Sequence, residues 1–297
     1  MSASGSYQIW PAQSMFRHCK TTATRIIRNA KEVSPITHPR PLALLALSGD
    51  VTRTVVTMNK DAIDPQQLDA IFQQKQSLRS KIRKDLKNMD PVQRIQEDNV
   101  IQNIVLESPW FKASKSLCAY ISCATLREVD TSRIVSDILS NPDNEGNTQI
   151  RKKLYVPRIE DRNSNMRMLK ISSVNDLIVN SMNILEPALV NSDGNEREDV
   201  MQASEPVDLL ILPGLAFDRS GRRLGRSGGY YDLFLMKYQK LAQEREWKQP
   251  LLVALAYTLQ IIEEGAIPVT PYDVPVDAVV TPSGFLPISP SALERCD

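Results

Sequence analysis

Hydrophobic positions follow two rhythms along this chain. Between Asp64 and Asn88, the residues Leu68, Ile71, Phe72, Leu78, Ile82 and Leu86 fall in one stripe at helical spacing, which predicts an amphipathic helix. Asp64 is its expected N-cap and Pro65 its first helical position. Elsewhere the apolar residues come in short runs without alternation. Ser116 to Ser122, Val207 to Leu212 and Leu251 to Tyr257 are such runs, and they suit strands covered on both faces. Lys153 to Pro157, Met166 to Ile171 and Ala278 to Thr281 read as further strands. A second helix opens at Asp90-Pro91 and ends at Pro109, and a third runs from about Thr131 to Leu139 with Asp130 or Thr131 as cap. Tyr230, Phe234, Tyr238 and Leu241 recur at helical spacing. Strands alternating with helices predict an α/β fold with a largely parallel sheet. Asn141 to Gln149 is a polar loop. Asn191 to Glu205, rich in Asp, Glu, Asn and Ser, is expected to be a long mobile insertion.

Two places break these rhythms. Lys75 and Arg79 fall in the middle of the first apolar stripe, whereas Lys81, Lys84 and Lys87 point away from it. Cations on an apolar stripe either snorkel to its margin or meet an anion. The second place is the stretch after Val207. Pro213-Gly214 ends the strand, glycines then alternate with Arg222, Arg223 and Arg226, and a helix follows. Glycines let backbone amides approach an anion, a helix start adds unsatisfied N–H groups, and arginines supply forked donors. The order predicts a polyphosphate site; the competing reading is a glycine-rich surface turn with solvated arginines. No Walker A pattern occurs, and Gly225-x-x-Gly228 is too short for a dinucleotide fingerprint.

Composition narrows the function classes. With 297 residues, 42% hydrophobic content and a net charge of +1, the chain can bury a full core, and near-neutrality argues against nucleic-acid or membrane-surface roles. Apolar runs such as Leu42 to Leu47 fall far below the ~20 residues of a spanning helix. Cys19, Cys118, Cys123 and Cys296 form no C-x-x-C pair, so neither a zinc site nor a disulfide framework is indicated. From Met1 to Lys31 there are five Lys and Arg residues (Arg17, Lys20, Arg25, Arg28, Lys31) and no acid, which is transit-peptide composition. Residues 1–55 are therefore expected to be an organellar transit peptide and linker. A mitochondrial destination is preferred, a plastid is the alternative, and a plain basic tail is the competing reading. Both histidines, His18 and His38, lie in this segment, so its removal would exclude Ser-His-Asp and Cys-His chemistry.

The long stretch Leu212-Pro-Gly-Leu-Ala-Phe-Asp218, Gly221-x-Arg223-Leu-Gly225-Arg-x-Gly-Gly-Tyr-Tyr-Asp232 resembles the signature of the 5-formyltetrahydrofolate cyclo-ligase family, also called 5,10-methenyltetrahydrofolate synthetases. The similarity covers roughly Asp64 to Ser283, within an expected domain of residues 60–290. It implies a single Rossmann-like, three-layer α/β/α domain. It also implies ATP-dependent cyclisation of 5-formyltetrahydrofolate, with magnesium as cofactor and ATP as co-substrate. No nucleic-acid or membrane partner is expected, and the protein is expected to be a monomer.

The resemblance also assigns residues. Lys75 and Arg79 match cations that reach ATP phosphates, and the loop Arg223, Leu224, Gly225, Arg226, Ser227, Gly228, Gly229, Tyr230 and Tyr231 completes the ATP site. Ile121 and Glu128 would meet the folate together with Arg226, Ser227, Gly228, Gly229 and Tyr230, while Arg226 and Tyr230 are the catalytic candidates. Asp232 and Asp273 are the implied magnesium ligands. Read without the resemblance, Glu128 is a helix-flanking acid, Asp273 a turn residue, and Tyr230 and Tyr231 are core aromatics. Pro157-Arg158 and Ile184-x-x-Pro187 also match family segments. Two departures stand out: Gly228 occupies a position that is Lys in many members, and Met182 stands near a folate-packing tryptophan of some others. They support a second hypothesis, a nucleotide- or folate-binding protein without turnover; a third reading is a kinase for another small acid.

Overall fold

The computed structural model describes residues 64–140 and 152–295. The expected transit segment and the polar loop Asn141 to Gln149 lie outside the described residues, whereas Asp64 to Asp297 makes one compact unit.

Helix α1, Pro65–Asn88, starts as its sequence predicts: the Asp64 carboxylate accepts from the Gln66 amide and proline fills the first turn. Its buried residues are Leu68, Lys75, Ile82 and Leu86, so a lysine belongs to the packed face. Helix α2, Pro91–Glu107, follows after Asp90, whose carboxylate accepts from the Gln93 amide. Pro109 does not merely end α2. It occupies the first turn of the short helix α3, Pro109–Ala113, which buries Trp110 and Phe111. Helix α4 is Ser132–Leu139; its N-cap Thr131 makes no side-chain cap bond, and Asp130 accepts from the Ser132 amide instead.

The main sheet has seven strands in the order β11-β10-β9-β6-β1-β2-β3. Its five central strands run parallel: β10 (Ala278–Thr281), β9 (Leu251–Leu255), β6 (Leu209–Leu212), β1 (Ser116–Ala119) and β2 (Lys153–Ile159). Antiparallel strands β3 (Met166–Ile171) and β11 (Gly284–Pro287) close the two edges. Neighbouring residues of one strand feed opposite cores. Leu117, Leu209, Ile211 and Val253 join the core under α1 to α4, while Cys118, Leu210, Leu252 and Ala254 join a second core. Helix α5, Tyr230–Glu244, covers that second face with Phe234, Leu235, Tyr238 and Ala242. Burial on both faces is why the strands read as unbroken apolar runs. The fold is thus a three-layer α/β/α domain with a mostly parallel sheet. Among the described residues no helix is long and apolar enough to cross a membrane.

The segment Asn191 to Glu205, expected to be mobile, is instead packed. Val190 and Glu196 form a β-bridge, Asp199 bridges to Leu169, and Val200 to Gln202 turn as a 3-10 helix with Val200 buried. Arg197 holds it to the preceding hairpin, donating Nε to the Ala188 carbonyl at 2.9 Å and pairing with Asp176 at 2.9 Å. Composition missed this because its charged residues pair with partners elsewhere in the chain: Arg197 with Asp176, Glu198 with Lys170 and Asp199 with Arg167. That hairpin, β4 (Leu177–Val179) with β5 (Leu185–Pro187), projects beside β2 and β3.

Candidate active site

Strand β6 ends at Leu212, and the chain does not pass to α5 through an open loop. It folds into a small antiparallel hairpin, β7 (Ala216–Phe217) with β8 (Arg223–Leu224). Asp218 makes the turn: its Oδ1 accepts from the amides of Ser220 and Arg222, both at 3.0 Å, and Oδ2 from Gly265 at 3.1 Å. Gly221 is at φ +82°, and a Cβ there would lie 2.6 Å from the Val276 carbonyl oxygen, so only glycine fits. These signature residues build the scaffold. The hairpin orients Arg223 inward and buries the Leu224 side chain completely. Leu224, assigned to ATP by the resemblance, therefore offers the loop its backbone, not a side-chain contact.

Beyond the hairpin, Gly225 to Gly229 lead into α5. Gly229 caps the helix in the left-handed conformation, and no side chain caps its first-turn amides. An uncapped N-terminus with its partial positive charge is a place for an anion. Ser227, at φ 128°, is a non-glycine residue in a strained backbone region within the same loop.

The first helix reaches this loop. Arg79 donates Nε to the Gly225 carbonyl at 2.8 Å, and Arg83 donates to the Arg226 carbonyl at 2.8 Å. Lys75, 4% exposed, forms an ion pair with Asp273. The choice between snorkelling and meeting an anion is settled: the lysine is buried against a carboxylate. Arg83 was absent from the candidates, although it continues the four-residue spacing of Lys75 and Arg79 on one helix face.

Asp232 and Asp273 come close to one another through a turn. The Asp232 Oδ1 accepts from the Val274 amide at 3.2 Å, next in sequence to Asp273, and from Arg223 Nη2 at 2.7 Å. Asp273 Oδ2 accepts from the Thr270 amide and hydroxyl as well as from Lys75. Among the described residues, Oδ2 of Asp232 and Oδ1 of Asp273 make no hydrogen bond. No group of three or more His, Cys, Asp or Glu placed to hold a metal exists among the described residues. Two carboxylates with one open oxygen each nonetheless fit magnesium, which binds through one or two carboxylates plus water and substrate phosphates. Arg223 Nε is buried without a partner, and the guanidinium lies 5.9 Å from the Tyr231 ring centroid. Burial pushes the Tyr231 phenol well up, so that ring is a neutral wall.

A cavity of about 180 Å³ opens beside the loop. Ile121, Glu128, Arg223, Gly225, Arg226, Gly228, Gly229, Tyr230, Tyr231 and Asp232 line it, so most of the candidate residues share one cavity. Lys75, Arg79, Leu224, Ser227 and Asp273 do not line it; they stand behind or beside the loop. The rest of the lining, away from the glycine loop in sequence, is Tyr120, Cys123, Leu126, Pro157, Ile159, Met166 and the run Ile184 to Glu186. Apart from Ile184 and the Pro157 match, sequence reasoning did not find this part of the lining. Met182 is exposed and lines nothing there; Ile184 and Leu185 take the apolar place.

Glu128 and Arg226 join the two parts of the lining. Arg226 donates Nε to Glu128 Oε1 at 3.0 Å and a second N–H to the Leu126 carbonyl, while Glu128 Oε2 accepts from the Cys123 amide at 3.0 Å. Burial raises the Glu128 carboxyl above its ordinary value, and the Arg226 guanidinium opposes that rise. The backbone carbonyl of Glu128 is fixed by the Tyr257 hydroxyl at 3.0 Å, which also meets Asp98 Oδ1 at 2.8 Å. Tyr230 packs its ring over Gly228, where an added Cβ would lie 2.4 Å from Cε2, and donates its hydroxyl to the Asp161 carbonyl at 2.9 Å. That hydroxyl is engaged with backbone and burial raises its pKa, so the ring and not the phenol faces the cavity chemistry.

Comparisons with known proteins point to one family. Residues 71–282 match the model of the 5-formyltetrahydrofolate cyclo-ligase family. A mitochondrial 5-formyltetrahydrofolate cyclo-ligase of Arabidopsis thaliana is 58% identical over 273 residues, spanning 92% of this chain and 96% of that protein. A 5-formyltetrahydrofolate cyclo-ligase of Mus musculus is 30% identical over 209 residues, spanning 69% of this chain and 92% of its own. The solved 5,10-methenyltetrahydrofolate synthetase of Aquifex aeolicus superposes with a TM-score of 0.55 at 27% identity, covering 72% of this chain and 92% of that one.

Proposed function

The chain belongs to the 5-formyltetrahydrofolate cyclo-ligase family and is an enzyme of the ligase class, and from that premise we propose that it closes 5-formyltetrahydrofolate to 5,10-methenyltetrahydrofolate at the expense of ATP. One observation carries the reading. Arg79 and Arg83 of α1 hold the loop carbonyls of Gly225 and Arg226, and Arg226 in turn grips Glu128, so a cationic loop and the adjoining, largely apolar cavity become one site.

The formyl group on the ring nitrogen is amide-like, and its oxygen is a poor leaving group. Transfer of the γ-phosphoryl group to that oxygen releases ADP; the neighbouring anilino nitrogen then attacks the formyl carbon, loses its proton, and inorganic phosphate departs with the oxygen. Both partners of the ring closure belong to one molecule, so positioning supplies most of the rate. Arg223, Arg226, the loop amides and the uncapped first turn of α5 hold phosphate oxygens, and Lys75 and Arg79 support them from α1. Asp232 and Asp273 would hold magnesium, which neutralises phosphate charge when bound. Glu128, Ile121 and the Tyr230 ring position the folate. This site needs no histidine.

The test is direct. Purified protein given 5-formyltetrahydrofolate, ATP and magnesium should develop the methenyl absorbance with stoichiometric ADP. ADP release without the folate would favour a kinase for another acid, and binding without product a non-catalytic protein. We further propose that the acid-free basic segment before Glu32 directs the chain to mitochondria, in keeping with its Arabidopsis relative. A fluorescent fusion lacking residues 1–55 should stay in the cytosol; an unchanged organellar pattern would refute the address.

A further inference from the structure

Among the acids that line the cavity, Glu128 is hydrogen-bonded by Arg226 and Asp232 by Arg223, whereas the arginine paired with Glu186, Arg158, makes no hydrogen bond to it. Glu186 sits in β5, in the part of the lining away from the glycine loop in sequence, and is 6% exposed. Its Oε1 accepts from the Asn180 side-chain amide. Its Oε2 lies 3.7 Å from Arg158 Nη1, beyond hydrogen-bond reach, and that same arginine nitrogen donates to the Pro187 carbonyl at 2.7 Å. Among the described residues Oε2 receives no hydrogen bond. That oxygen is not one of the fully buried side-chain atoms left without a partner, so on a residue that lines the cavity it is an acceptor a ligand's donor can reach. Arg158 is near enough for an ion pair but does not fill its lone pairs.

From this geometry we propose that Glu186 is a recognition residue for the substrate's donor edge: the 2-amino group and adjacent ring N–H of the reduced pterin. An ionised carboxylate is acceptor-only, with about four lone-pair sites, of which Asn180 uses one. The aminopyrimidinone ring presents two parallel N–H donors, the pattern a carboxylate accepts best. The surrounding wall is apolar, Ile159, Met166 and Leu185 among it, and this desolvates the pairing and strengthens it. Glu186 thus orients the ring system from the end away from the phosphates, and the formyl group is left toward Arg226. This inference rests on the reading of the cavity as a folate site.

The test is a cycle between protein and ligand. Binding of 5-formyltetrahydrofolate and of its 2-desamino analogue is measured by calorimetry without ATP, on the wild-type chain and on Glu186→Leu. Glu186→Gln, which keeps the shape and one acceptor, serves in place of the leucine variant if that variant does not fold. The wild-type chain should favour the parent ligand by about tenfold to a hundredfold, the range expected of a charge-assisted hydrogen bond. The variant should lose most of that preference while its affinity for a non-hydrolysable ATP analogue is unchanged. Equal discrimination by wild type and variant overturns the assignment and leaves Glu186 a structural partner of Asn180. A wild-type chain that binds neither folate overturns the cavity reading and this inference together.

Discussion

The glycine loop has two unlike neighbours. Behind it stand charges drawn from distant parts of the chain: Lys75 and Arg79 from α1, Asp273 from the turn before β10, and Asp232 with Arg223 at the loop itself. In front of it lies a cavity whose remaining lining is mostly apolar, built from the ends of β1, β2 and β3 and the β5 hairpin, with Glu128 and Glu186 as its acids. The rear is a set of compensated cations and anions with one open oxygen on each carboxylate. The front is a shaped space with few polar groups. Phosphate and metal need charge that is already assembled, since little covalent chemistry is left for the protein; a flat ring needs excluded water and a few fixed acceptors.

If the rear is charge held in balance, removing one member should harm it most. Lys75→Met leaves the Asp273 carboxylate without its buried cation, so we expect a loss of about 3 kcal/mol in urea denaturation, the usual cost of breaking such a pair. We also expect a fall in turnover at fixed ATP of about a thousandfold. Adding Asp273→Asn should return part of the stability but not the activity. Normal ATP kinetics in Lys75→Met would reduce α1 to a structural cover.

Next in size is a separation of the two regions. Asp232→Asn removes the charge beside Arg223 and one open oxygen, and turnover should drop at least a hundredfold, as for other groups on transferring phosphates. Binding of 5-formyltetrahydrofolate alone should change less than about threefold, because the variant leaves the apolar lining intact. Equal losses in both assays would merge front and rear into one unit.

Gly228 joins the regions sterically. Any side chain there meets the Tyr230 ring, so Gly228→Ala should displace the ring from its contact with Asp161 and weaken folate binding about fivefold, near the net worth of one hydrogen bond. Unaltered affinity would mean the ring swings aside freely, as it must where a lysine stands at this position.

The smallest effect is a pH dependence confined to the front. Burial raises the Glu128 carboxyl above its ordinary value, near 4.5. In that window the folded state holds more protons than the unfolded one, so the contribution of Glu128 to stability falls as pH rises through the raised value. The stability of Glu128→Gln relative to wild type should therefore improve from pH 4.5 to pH 7 in urea titrations. The opposite slope would mean that Arg226 outweighs burial.

Much of the fold could be read from residue order. The stripe of α1, the caps at Asp64 and Asp90, and the unbroken runs of β1, β6 and β9 follow from local spacing, because periodicity reports which faces are buried. The glycine loop was equally legible, since its scaffold and its cations lie within about twenty residues of each other. What the sequence could not rank was partnership. Whether Lys75 snorkels or pairs depends on a carboxylate 198 positions away, and whether Asn191 to Glu205 is loose or packed depends on Arg197 meeting Asp176 and Ala188. The apolar lining was hidden for the same reason: Ile159, Met166 and Glu186 meet only where three strand ends converge, and no local rhythm marks that place. Short-range spacing determines elements and their buried faces, whereas a site made of compensated charges is decided by which distant groups the packed sheet brings within a few ångströms.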